Sequence, residues 1–239
     1  MMKTLALGLL AMSLSASAWA GIEELGPATC GSLNNAFGPF DYRTATQEQH
    51  GLVEGAHFTF PVESLKRGKT STTPGPDIDY TLRVFPNHHR ALLAMMNLSL
   101  KEKKSRPLGS NYSIDCWMER GERWRPDDEV VKILFGTHLL RTGRRGEARG
   151  KLDAADKLIA GKEVYAVGPN VLYNLGLALY QLGDYDRAQF YAHKAYALNY
   201  PLPGLRQMLK KAGHWQEASP AAASSEPVSD GLKQGDPAQ

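Results

Sequence analysis

Apolar residues recur with a helical period from Asn170 to Leu198, where NVLYNLGLALYQLGDYDRAQFYAHKAYAL reads as two amphipathic helices parted by Gly183-Asp184. Leu172, Leu175, Gly176 and Leu179 share one face of the first; Ala188, Tyr191, Ala192 and Ala195 share one face of the second. Glycine and alanine remove bulk where two helices meet, so the pair is predicted to pack as a tight antiparallel hairpin. The same order of residues lies upstream in Phe135-Gly136, Leu139, Gly143, Ala148, Leu152 and Ala155, with Lys132 where a large apolar residue is expected. Further back, His88 to Lys101 carries Leu92, Leu93, Met95, Met96 and Leu98. Asp115 to Arg125 puts Met118 and Gly121 on one face with Ile114 and stops at Pro126. Asp77 to Phe85, ending at Pro86, predicts one more second helix, and Pro203 to Ala212, with Leu205, Met208 and Leu209, a terminal capping helix. Residues 21–76 show no comparable period. Their Gly, Pro, Thr and aromatic content (Phe37, Phe40, Tyr42, Phe58, Phe60) predicts loops, with a short helix near Pro61 to Arg67.

The order Leu175-Gly176, Tyr180, then spaced alanines resembles the tetratricopeptide repeat. Gly136 to Gly176 is a step of 40 residues, against about 34 in that family, so extra residues are expected between the hairpins, near Ala160-Gly161 and Gly168-Pro169. The chain is also similar to exported repeat proteins of Gram-negative bacteria that share phrases such as DIDYTLRVFPNHHRAL and YPLPGLR, a family without an assigned activity. The fold class expected is all-α: a short stack of helical hairpins over 77–215, an irregular segment over 21–76 and a C-terminal cap.

The resemblance implies that first helices line a concave side on which a protein or peptide partner docks. The positions are Asn170, Tyr173, Asn174, Leu177, Tyr180 and Gln181 in the clear repeat, and Val130, Ile133, Leu134, Thr137, Leu140 and Arg141 upstream. Arg90, Leu93, Asn97 and Lys101 would extend them. Tyr173 and Tyr180 offer the amphipathic contacts common in binding hot spots, unless they pack on the capping helix. One sub-type of the family grips a C-terminal carboxylate with Lys, Arg and Asn. Asn174 has Leu134 and Ala94 as counterparts, so that clamp is incomplete and such capture is not expected.

The ends of the chain set the compartment. Lys3, the apolar run Leu5 to Leu14, and Ala18-Trp19-Ala20 before Gly21 make residues 1–20 a secretory signal peptide, cleaved near Ala20. That run is too short to span a bilayer. A periplasmic or secreted protein is expected. From residue 216 to 239 the chain is rich in Ala, Ser and Pro and predicts a disordered tail. Two cysteines in an oxidising compartment favour a disulfide between Cys30 and Cys116 over two free thiols. The net charge of +3 is too small to point to nucleic acid.

Candidate chemistry is sparse. Arg141, Arg144, Arg145, Arg149 and Lys151 form a dense run, with Arg144-Arg145-Gly146 expected in a solvated turn rather than an anionic docking patch. His88 and His89 would point to different sides of a helix start, and His50 and His57 lack an acidic partner at ligand spacing, so no metal site and no cofactor are expected. Asp77, Asp79, Asp127 and Asp128 fall at helix starts, where carboxylates cap exposed N–H groups. The reading is an exported, non-enzymatic adaptor or assembly scaffold for an envelope or secretion protein. The alternative is a metal- or small-ligand-binding protein, or an enzyme, with its site in 21–76 near His50, His57 and His88.

Overall fold

In the computed structural model, which describes residues 30–217, every regular element is a helix. The expected signal peptide, and the expected tail beyond Glu217, lie outside the described residues.

α6 (Glu129–Arg141) and α7 (Arg145–Ala160) form one hairpin; α9 (Pro169–Leu182) and α10 (Tyr185–Ala197) form the next. Each turns on a glycine in the left-handed region, Gly143 at φ 79° and Gly183 at φ 82°. The close approach expected of the small residues is present. A Cβ on Gly136 would stand 2.7 Å from Leu152 Cδ2 and 3.5 Å from Ala148 O; one on Gly176 would stand 2.7 Å from Leu205 Cδ2 and 3.2 Å from Ala188 O. In both hairpins the glycine of the first helix therefore faces an alanine carbonyl of the second. α8 (Val164–Val167) takes up the extra length between them. Lys132 is accommodated because its Nζ reaches Glu122 Oε1 at 2.8 Å, and Lys151 binds the other oxygen of that carboxylate.

α4 (His89–Glu102) and α5 (Ile114–Trp124) make a looser preceding pair. The loop joining them is fastened where Trp117 Nε1 donates to Ser110 Oγ at 2.8 Å. α3 (Gly75–Val84) packs on α4 as a second helix does, and α11 (Gly204–Lys211) closes the stack against α9 and α10. Leu92, Met95, Trp117, Met118 and Leu139 fill one core, and Leu172, Leu175, Leu179, Tyr191 and Leu205 the other.

Of the segment expected to be irregular, the described residues 30–76 are less irregular than expected. α1 (Gln47–His57) packs on α3, and α2 (Phe60–Glu63) sits against α3 and α4. Val53 is the only buried residue of α1, so the helix has almost no apolar stripe to read; a reciprocal capping box between Thr46 and Gln49 fixes its start instead. The helix expected over 61–67 ends at Glu63, and Leu65 turns into the left-handed region at φ 56°. Arg145 and Gly146 are exposed, as expected of a solvated segment, but they lie in the first turn of α7 and not in the turn before it. Arg145 opens α7 and donates to Gln181 O at 3.1 Å and to Leu182 O at 2.6 Å, carbonyls at the end of α9 that have no partner within their own helix. Arg144 binds Asp115 and Glu147. Of the four aspartates expected as caps, Asp128 caps α6. Asp77 stands in the first turn of α3, as expected of a helix start, but its carboxylate accepts from Lys69 N and Thr70 N, while Asp79 accepts from Asn111 N and Asp127 from Arg43.

Residues 30–46 run as a strap over α3 and α5. Cys30 and Cys116 are joined by a disulfide, with Cα atoms 5.1 Å apart. Next to it the buried guanidinium of Arg120 donates to Cys30 O and Ser32 O, both at 2.8 Å, and lies 4.4 Å from the centre of the Tyr112 ring. Further along, Asn87 ties strap to stack. Its Nδ2 donates to Asp41 Oδ1 at 2.7 Å and Asp128 Oδ2 at 2.9 Å, while its Oδ1 accepts from Tyr42 N at 2.9 Å.

These buried carboxylates make stability depend on pH. Burial alone would raise Asp41, but hydrogen bonds from Arg43 and Asn87 outweigh it and hold the group well below the usual carboxylate range. Burial is likewise outweighed at Asp128 by His89 and Asn87, and at Asp77 by Thr70 and Lys69 N. A carboxylate with a lowered folded pKa binds fewer protons folded than unfolded. Its contribution is thus complete above the unfolded value of about 4 and is lost as pH falls through the folded one. The thermal midpoint should hold between pH 7 and 5 as far as these groups are concerned and fall steadily below pH 4, with Asp41→Asn flattening the acid limb. An unchanged midpoint from pH 5 to 2.5 would refute the assignment.

Candidate functional site: a groove across the first helices

α4, α6 and α9 lie side by side, and their outer faces frame a groove of about 420 Å³. Its apolar floor comes from Leu93 and Met96 on α4, Val130, Ile133 and Leu134 on α6, and Val171, Leu177 and Ala178 on α9. The polar rim is Thr137, Arg141, Asn170, Asn174 and Gln181, and one end is closed in by Tyr42, His89 and Arg90.

Of the positions expected on this face, Asn170, Asn174, Leu177, Gln181, Val130, Ile133, Leu134, Thr137, Arg141, Arg90 and Leu93 line the groove. Tyr173 and Tyr180 do not. Tyr173 is 5 % exposed, its ring centre 4.3 Å from that of Tyr200, and its hydroxyl accepts from Leu205 N at 3.1 Å. It is a core residue that seats the capping helix. Tyr180 is half-buried with its ring edge-on to Tyr185 at 5.3 Å. Leu140 packs between the two cores. Asn97 stands behind the rim and accepts from Arg141 Nη1 at 3.2 Å, and Lys101 reaches away to Leu65 O at 2.9 Å.

Sequence reasoning missed Tyr42, His89, Met96, Val171 and Ala178. His89 and Met96 had a signal: Val130, Leu134 and Thr137 shifted back by 41 positions fall on His89, Leu93 and Met96. Tyr42 had none, because it reaches the groove on a strap held by long-range contacts of Asn87 and Arg43. The Tyr42 ring stacks on His88 with centres 4.0 Å apart, and its edge meets His89 at 5.4 Å. His89 is in turn oriented by Asp128, Nε2 to Oδ2 2.9 Å.

The histidines that motivated a metal or catalytic reading are each turned toward a carboxylate. His50 Nδ1 lies 3.4 Å from Glu54 Oε1, His57 Nδ1 3.0 Å from Asp77 Oδ1, and His88 Nε2 3.1 Å from Glu54 Oε1. His88 Nδ1 also accepts from Ala91 N, capping α4. Among the described residues no group of three His, Cys, Asp or Glu side chains is placed to hold a metal ion.

A stack of helical hairpins with an amphipathic groove across its first helices is the architecture of a helical-repeat protein. Residues 169–201, which hold α9 and α10, match the family model of the tetratricopeptide repeat, so the chain contains that repeat. Such repeats form protein–protein interaction modules and are typically non-enzymatic. No curated protein and no solved structure matches the chain. Among the described residues no helix is long and apolar enough to cross a membrane.

Proposed function

We propose that this chain is an exported adaptor or assembly scaffold that holds a segment of an envelope or secretion protein in the groove of α4, α6 and α9. The observation that carries this reading is the groove itself: three neighbouring first helices, one of them in the matched repeat, turn an apolar floor with a polar rim outward. Concave, mostly apolar surfaces with a few placed polar groups are where proteins take up ligands and peptides. The leader-like residues 1–20 and the buried disulfide support export.

A photo-crosslinking residue placed at Leu93 or at Asn174, in cells that export the protein, should yield one and the same adduct. The same probe at Phe190, exposed on α10 outside the groove, should not. Adducts formed at Phe190 and absent from both groove positions would rule the reading out.

A further inference from the structure

We propose that the groove selects an extended segment whose apolar side chains meet the floor and whose Asp or Glu side chain pairs with Arg141, an inference that rests on the groove reading above. The charge balance points there. No Asp or Glu lines the groove, and its two guanidinium groups are in different states. Arg90 is neutralised from outside by Glu63, Nε to Oε1 2.7 Å, and by Glu54, Nη1 to Oε2 3.6 Å. Arg141, at the opposite end of the groove, has only the neutral Asn97 Oδ1 and no ion pair among the described residues. An occupant that covers Arg141 strips water from an unpaired charge, so one that brings a carboxylate is favoured over one that does not.

Two observations set the form of the segment. From Val130 to Arg141 the groove follows α6 for about 16 Å, the length of about five extended residues. Along α9 its rim offers amides. Asn174 Nδ2 donates to Asn170 Oδ1 at 3.1 Å, but Asn174 Oδ1 and the Gln181 side chain make no hydrogen bond within the described residues. A helical occupant satisfies its own backbone, whereas an extended one carries N–H and C=O groups that need such partners.

The test is selection from random dodecapeptides fused at their C-termini to a phage coat protein, so that no free C-terminal carboxylate is displayed. The baits are the full chain, its Leu93→Trp form, in which an exposed side chain grows to fill the groove, and its Arg141→Glu form, each confirmed helical by circular dichroism. Wild-type binders should carry Asp or Glu beside Leu, Ile, Val, Phe or Met and be lost on Leu93→Trp. In synthetic peptides, Asp→Asn should weaken binding about tenfold, the scale of one charge-assisted contact. Asp→Lys peptides should recover on Arg141→Glu. Binders that are lost on Leu93→Trp yet show no acidic enrichment would overturn the charge rule and leave the groove standing. Binders indifferent to Leu93→Trp would overturn the groove reading itself. Binding that appears only after removal of 218–239, which contains Glu226, Asp230 and Asp236, would make this chain's own tail the occupant and overturn the separate partner.

Discussion

Serine at both Cys30 and Cys116 is expected to lower stability by about 2–5 kcal/mol, the usual cost of losing a native disulfide. The bond closes 86 residues of separation, and the chain-entropy effect for a loop of that size is about 4.6 kcal/mol. For a domain of this length the thermal midpoint should drop on the order of 10 °C. The contacts around the bond determine how the loss is distributed. Arg120 and Arg123 hold the carbonyls of Cys30, Gly31 and Ser32, and Trp124 Nε1 donates to Phe40 O at 3.2 Å. The strap therefore keeps part of its attachment without the covalent link, and the native helical signal should survive at 25 °C. Calorimetry of the double variant, alongside wild type unfolded with and without reductant, checks this. Because Cys30 is fully buried and Cys116 is 6 % exposed, reductant should act on the wild type only through opening of the fold. Equal midpoints for the variant and oxidised wild type would show that the cross-link adds nothing.

The hairpins were legible because packing there is written in local residue size. Gly136 and Gly176 each leave room for a second helix, and nothing distant is needed to read that. α1 was not legible, because a helix that buries one side chain and contains Gly51 and Gly55 has neither stripe nor propensity. It exists because α3 supplies a surface and Thr46 a cap. The groove was legible where one helical turn repeats between neighbouring helices: Val130, Leu134, Thr137 and Arg141 recur as Asn170, Asn174, Leu177 and Gln181 in α9. It failed where a third body decides the outcome. Tyr42 arrives on a strap held by Asn87, Arg43 and the Cys30–Cys116 bond, and no spacing in the sequence encodes that meeting.

Tyr173 is the sharpest case, and its replacement separates packing from recognition. Next to Asn174 in sequence, it is rotated about 100° around α9 and so faces the cap instead of the groove. Tyr173→Ala should cost about 3–5 kcal/mol, the range for truncating a large buried ring. It also strands the Leu205 N–H that Tyr173 Oη accepts from, at the first turn of α11. Tyr173→Phe keeps the ring against Tyr200 and loses only that acceptor, about 1 kcal/mol. Asn174→Ala, at an exposed rim position, should stay within about 0.5 kcal/mol of wild type. Denaturant midpoints of the three variants test the order. Should Tyr173→Ala prove no less stable than Asn174→Ala, Tyr173 is not what holds the cap. With the order as expected, a partner lost on Tyr173→Ala reports an unseated α11. Only a partner lost on Asn174→Ala, with stability intact, reports a contact made in the groove.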